Sequence, residues 1–171
     1  MNRLIRENMK YHMPSSLGRN ESSLSFRTLA RRHKRIVKTA KPRALIFSGY
    51  GLNTEDETKI AFEIAGASAD IVHINDIIAR PAILKQAQII VFPGGFSYGD
   101  DTGSGKAYGN RVKHHLGGEI EKFLSRDTLM LGICNGFQII TSAGILPGAL
   151  ITNDSARYIC RWVDLEVTGS S

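Results

Sequence analysis

Four short apolar runs, separated by stretches of helical period, frame this chain. Ala44-Leu45-Ile46-Phe47, Asp70 to Ile74, Gln88-Ile89-Ile90-Val91-Phe92 and Thr128 to Ile133 read as strands 1 to 4. Strand 3 is rich in β-branched residues without polar alternation, which predicts burial on both faces. Between strands 1 and 2, Glu55-Asp56-Glu57 opens a helix with acids in its first turn, at the positive end of the macrodipole. Ile60, Phe62, Ile64 and Ala65 supply its apolar positions, and Gly66 suits its C-terminal cap. Ile77 to Ala87 reads as a turn and short helix with Pro81 near its start. A loop from Phe96 to Gly105 precedes a helix over about Lys106 to Leu124, weakened in its middle by Gly117-Gly118. A last helix follows strand 4 to about Ser142, capped by Gly144, and Pro147-Gly148 makes a turn. Tyr158 to Val167 reads as a long strand with Ile159, Val163, Leu165 and Val167 on one face.

Strands alternating with helices predict a mainly parallel sheet covered on both faces. Right-handed crossovers make it a doubly wound, flavodoxin-like α/β sheet, in which ligands sit at the carboxyl ends of the strands. Pro93-Gly94-Gly95 ends strand 3 and Cys134 ends strand 4, so the two are expected to be neighbours in space.

Composition changes this picture in one respect. The net charge of +6 is uneven: residues 1–43 hold 12 of the 22 Lys/Arg and 2 of the 16 Asp/Glu. The remainder is acidic, so the basic balance says nothing for nucleic-acid binding by the folded part. Residues 1–42 lack a sustained apolar period and are expected to form a basic, disordered or loosely helical extension to a domain over residues 43–171. Their Arg- and Ser-rich, acid-poor make-up also fits an organelle transit peptide, or reading frame upstream of a later start at Met9 or Met13. No apolar run is long enough to span a bilayer. Two cysteines, Cys134 and Cys160, are too few for a disulfide framework, and a reducing, cytoplasmic setting fits best.

The chemistry is concentrated in Leu129 to Ile140, L-M-L-G-I-C-N-G-F-Q-I-I. A strand runs into Cys134 and turns at once into a helix, with glycines two residues before and two after leaving room for the turn. This is the nucleophile-elbow pattern with sulfur in place of oxygen. The N-terminus of the helix favours a thiolate at Cys134. When that thiolate adds to an amide, charge builds on the carbonyl oxygen. The backbone N–H of Asn135 and an N–H from the Gly94-Gly95 turn can meet it. Cys160 has no such setting and is expected in the core. Gly103-Ser104-Gly105-Lys106 imitates a phosphate loop, but Ala107 stands where a Mg²⁺-binding Ser or Thr is needed. Gly49 and Gly51 with Thr54 make a poor dinucleotide fingerprint. Asp100-Asp101 lacks companion metal ligands and is read as a polar loop; no metal site is expected.

Several motifs agree in order with one family. Gly132-Ile133-Cys134-Asn135-Gly136-Phe137-Gln138 resembles the nucleophile motif of class I (triad) glutamine amidotransferases. Pro93-Gly94-Gly95-Phe96-Ser97-Tyr98-Gly99-Asp100, Leu146-Pro147-Gly148-Ala149 and Asn153-Asp154-Ser155-Ala156-Arg157-Tyr158, with Gly49-Tyr50-Gly51-Leu52-Asn53, narrow the resemblance to the glutaminase subunits of phosphoribosylformylglycinamidine synthase, of purine biosynthesis. The resemblance covers residues 43–167. It implies that Cys134 attacks glutamine, with Gly95 and Asn135 as oxyanion hole and Gly94, Gln138, Asn153, Ser155 and Arg157 around the substrate. It also implies a partner synthetase that takes the ammonia and itself binds ATP and Mg²⁺, with no cofactor in this chain.

One part of the family pattern is missing. The triad needs a histidine base oriented by a carboxylate two residues on, and no histidine follows Cys134. His73 ends strand 2 and His114-His115 lie on a helix, so none is expected to serve. The chain therefore reads as an N-terminal part of the glutaminase with feeble activity by itself. Two other readings compete: a non-catalytic remnant that docks on a synthetase, and a cysteine-elbow hydrolase or chaperone of the DJ-1/PfpI type. The second class places histidine directly after the nucleophile, where this chain has Asn135.

Overall fold

The computed structural model describes residues 41–164. The extension expected over residues 1–42 lies, apart from its last two residues, outside the described part. Two compact units divide the chain, one spanning Ala40–Ile151 and the other including the residues from Thr152 on; each is described by itself.

The first unit is a four-stranded parallel sheet. Its strands are β1 (Arg43–Ser48), β2 (Ser68–His73), β3 (Ile89–Phe92) and β4 (Leu129–Gly132), in the order β2-β1-β3-β4. This is the doubly wound, flavodoxin-like order. Its helices are α1 (Glu55–Ile64), α2 (Ile74–Ala79), α3 (Lys106–Leu124) and α4 (Asn135–Ser142), with 3-10 turns at Pro81–Gln86 and Ser97–Asp100. The apolar runs of β1 and β3 are buried because both faces are covered. On one face Leu45, Phe47, Ile90 and Phe92 pack against α2, α3 and α4, with the Phe47 and Phe92 rings stacked at 4.3 Å. On the other, Ala44, Ile46, Ala69 and Val91 pack against Phe62 of α1.

Helix limits follow local chemistry. Gly66 and Gly144 take positive φ after α1 and α4, as expected of C-terminal caps. The α3 helix runs from Lys106 to Leu124 straight through Gly117-Gly118. Its Gly105-x-x-x-Gly109 edge lies against α4. A Cβ at Gly105 would come within 2.6 Å of the Ile139 nitrogen, and one at Gly109 within 2.8 Å of the Ile139 oxygen. The phosphate-loop look-alike is thus a helix-packing contact.

Three expectations need correction. In α1, Ile60 and Ile64 are 55% and 83% exposed. Four residues apart, they share one helical stripe; the sheet side is taken by Thr58 and Phe62, two residues out of phase. Residues 158–164 form no strand, and the rest of the expected strand, to Val167, lies outside the described residues. A strand exists only as a ladder, and no described segment pairs with this one. Cys160, expected in the core, is exposed for the same reason.

Tyr108 ties α3 to the sheet. It is fully buried, and its hydroxyl donates to the Ser48 carbonyl at 3.0 Å. Burial pushes its phenol well above the usual tyrosine range. Tyr108→Phe leaves that carbonyl without this donor and is expected to lower stability by about 1 kcal/mol. The urea midpoint reports it, and an unchanged midpoint would refute the anchoring role.

Candidate active site

Cys134 sits at the carboxyl end of β4 as the N-cap of α4, at φ 51° and ψ −110°. Non-glycine residues rarely hold that conformation, so the turn is strained and throws the exposed sulfur outward. The flanking glycines are sterically required. A Cβ on Gly136 would lie 1.8 Å from the Phe92 oxygen, and one on Gly132 would lie 2.9 Å from the Phe137 nitrogen. Helix α4 therefore starts directly against the ends of β3 and β4.

Across from the cysteine lies the turn after β3. A Cβ on Gly94 would be 3.7 Å from the Cys134 Cβ, so the two strand ends are neighbours, as the topology predicts. The turn is held on its far side by the segment after β1. Asn53 N–H donates to the Gly94 carbonyl at 3.1 Å, and Phe96 N–H to the Gly51 carbonyl at 2.9 Å. Leu52 and Gly95 form the bridge between them. In this antiparallel pattern they are the non-hydrogen-bonded pair, so the Gly95 N–H points away from the β1 segment. It has no acceptor among the described residues, and neither does the Asn135 N–H. Gly95 (φ 152°) has no room for a side chain, since a Cβ would meet the Gly51 oxygen at 2.5 Å.

Gly94 has its backbone groups engaged. Its N–H donates to Thr54 Oγ1 at 2.8 Å, and its carbonyl accepts from Asn53 and from Thr54 Oγ1. What it offers a ligand is space beside the sulfur. Thr54 is the N-cap residue of α1, yet its hydroxyl serves this turn and makes no cap bond.

Asn135 is fully buried and its side chain is fully bonded. Oδ1 accepts from the Ser97 N–H at 3.0 Å. Nδ2 donates to Asp100 Oδ1 at 3.1 Å and to Gln138 Oε1 at 2.9 Å. Gln138 is half-buried one turn along α4, with its amide NH₂ left to offer. Asn153, Ser155 and Arg157 lie in the other unit, where they form a turn of their own. Asn153 Nδ2 donates to the Arg157 carbonyl at 2.9 Å, and the Arg157 N–H to Ser155 Oγ at 3.4 Å.

No described histidine is recorded in contact with Cys134. His73 Nδ1 accepts from Asn75 N–H, and its ring fills the space a Cβ on Gly49 would need. His114 and His115 are exposed on α3. No group of three His, Cys, Asp or Glu among the described residues is placed to hold a metal ion.

Thr54, Ser97 and Asp100 were not foreseen as parts of this arrangement, although Ser97 and Asp100 fall inside a quoted motif. Also unforeseen is an aromatic cluster at the carboxyl ends of β1 and β2. Tyr50 stacks on Tyr98 at 4.9 Å, Arg111 lies over Tyr50 at 5.1 Å, and Asn75 bonds both Tyr50 and Arg111. Burial raises the Tyr98 phenol against the opposing pull of Arg111.

Comparison with known proteins bears on what this arrangement is. The family described as CobB/CobQ-like glutamine amidotransferase domain matches residues 41–171. Phosphoribosylformylglycinamidine synthase subunit PurQ of Methanococcus maripaludis (strain C5) is 49% identical over 139 residues, covering 75% of this chain and 52% of that protein. The subunit of the same name from Dehalococcoides mccartyi is 44% identical over 136 residues, covering 75% and 53%. Among solved structures, PurLQS from Thermotoga maritima matches with a TM-score of 0.59 at 35% identity, over 72% of this chain and 54% of that one. The chain spans about half the length of the curated relatives it matches.

Proposed function

The chain belongs to the CobB/CobQ-like glutamine amidotransferase family, and from that premise we propose that it is the glutaminase component of a phosphoribosylformylglycinamidine synthase. Cys134 is the nucleophile. Its thiolate bonds to the side-chain amide carbon of glutamine, and the charge that moves onto the oxygen is met by the N–H groups of Gly95 and Asn135. The C–N bond then breaks, nitrogen takes a proton, and ammonia leaves a glutamyl thioester. Water attacks the thioester, releasing glutamate and restoring the thiol. Ammonia passes to a synthetase partner, where ATP and Mg²⁺ drive formation of the amidine. Gln138 holds the glutamine through its free amide NH₂. A cytoplasmic setting goes with this role.

The observation that carries the reading is the pair of unengaged N–H groups, Gly95 and Asn135, on two loops that meet beside an exposed cysteine in a strained elbow. The base is a separate matter. No described histidine stands with Cys134, so turnover needs a base from elsewhere, and acylation chemistry is the step to measure on the 171-residue chain. The test is alkylation of Cys134 by the glutamine analogue 6-diazo-5-oxo-L-norleucine, read by peptide mass spectrometry. Labelling that millimolar glutamine suppresses, and glutamate does not, is the expected result. No labelling would favour the non-catalytic docking role instead.

A further inference from the structure

We propose that the side chain of Asn135 is a positioning residue that sets the spacing of the two oxyanion donors, and that Asp100 holds it in place. The proposal rests on the glutaminase reading above and deepens it. The two donors are carried by separate pieces of chain. The Asn135 N–H belongs to the elbow after β4, and the Gly95 N–H to the turn after β3. Nothing covalent fixes their distance. An oxyanion hole works only when both donors sit about 3 Å from where the charged oxygen forms.

The Asn135 side chain links these two pieces. Its Oδ1 takes the N–H of Ser97, two residues from Gly95. One Nδ2 hydrogen goes to the Asp100 carboxylate, three residues further along the same loop. The other goes to Gln138 on its own helix, which sets the rotamer. One acceptor and two donors are thus all matched, with the residue fully buried. An aliphatic side chain would fill the same space but would leave the loop unregistered and the Ser97 N–H unpaired.

The loop is bent to make these contacts. Tyr98 and Asp100 both hold positive φ, 54° and 57°, which costs energy in non-glycine residues. The Ser97 hydroxyl, on a residue only 2% exposed, has no partner among the described residues. Strain and an unsatisfied hydroxyl both occur where the loop reaches Asn135. That pattern marks the contact as one the local structure is held to, because relaxed packing would remove both costs.

The test uses the full 171-residue chain and two reagents for Cys134. The diazoketone 6-diazo-5-oxo-L-norleucine presents a carbonyl to the oxyanion donors. Protonation of its diazo carbon and attack by sulfur form a C–S bond and release N₂. Iodoacetamide alkylates the same sulfur, with loss of iodide, and needs no glutamine pocket. Asn135→Ala keeps the backbone N–H and is expected to slow the diazoketone about 100-fold, while the iodoacetamide rate stays within about twofold. Asp100→Ala is expected to slow the diazoketone about tenfold, and Asp100→Asn, which keeps an acceptor, to recover most of that loss. If Asn135→Ala does not fold, the Asp100 pair carries the comparison. Equal slowing of both reagents, or a diazoketone rate that none of the variants changes, overturns the positioning role. A wild-type chain that glutamine fails to protect sinks the glutaminase reading, and the positioning role with it.

Discussion

Cys134→Ser is expected to abolish labelling by the diazoketone glutamine analogue and to lower any glutamine hydrolysis by at least about 10³-fold. Serine keeps the size and the elbow but replaces a thiol with an alcohol that has no base at hand. His73 takes the Asn75 N–H and His114 and His115 are exposed on α3, so no described histidine is placed to draw off a hydroxyl proton. Cys160 provides an internal reference. It is free and exposed, so iodoacetamide should modify it in both proteins while glutamine leaves its rate unaltered. Mass spectrometry of the two cysteine peptides reads both sites in one experiment. Persistent analogue labelling in the serine variant, or glutamine protection at Cys160, would remove Cys134 from the centre of the mechanism.

Gly136→Ala is expected to have the largest effect on stability. The added methyl would sit 1.8 Å from the Phe92 oxygen and 2.8 Å from the Pro93 oxygen. Both neighbours are backbone, so neither can swing away as a flexible side chain would. Relief requires α4 to move off the end of β3, and α4 is held from behind by the glycine contacts of α3. Overpacking costs about 1–3 kcal/mol where side chains can adjust, and more is expected here. The variant should lose its cooperative urea transition or fail to accumulate as soluble protein. A Gly136→Ala chain that melts within a degree or two of wild type would show that α4 does not rest on β3 as described.

The elbow and the sheet were legible because their signals are local. The first and third apolar runs ended at glycine or proline turns, and the parallel order followed from the alternation of strands and helices. The flanking glycines of Cys134 could be read as a steric requirement before any contact was known. The Asn135 side chain was not legible in this way. Its partners Ser97 and Asp100 lie 38 and 35 residues away, and nothing in the residue type says which loop a buried amide will hold. Thr54 misleads more directly: it has the position and chemistry of a helix cap, but the Gly94 backbone, 40 residues on, takes its hydroxyl. Ile60 and Ile64 show the converse. Helical period placed them together on one stripe, but it is Phe62, two residues out of phase, that packs against Ala44, Ile46, Ala69 and Val91.

The strand β4 has a second character. Leu129 and Leu131, on the face opposite α4, are 67% and 42% exposed, and no described element covers them. The nucleophile therefore stands on the strand of the sheet with the least apolar cover.

The bridge between Leu52 and Gly95 has a consequence for how this site can change over generations. Side-chain exchange in the Gly49–Asn53 segment is limited by Gly49 and Gly51, where a Cβ would meet the His73 ring and the Phe96 carbonyl, and by buried Leu52. Length is another matter. Gly95 keeps its N–H free only because it falls on the non-bonded beat of the pairing with Leu52. One residue inserted between Ser48 and Leu52 shifts that beat by one and turns the Gly95 N–H toward the neighbouring chain. The loop after the first strand never touches the sulfur in the contacts described, yet its residue count sets which way the Gly95 N–H points.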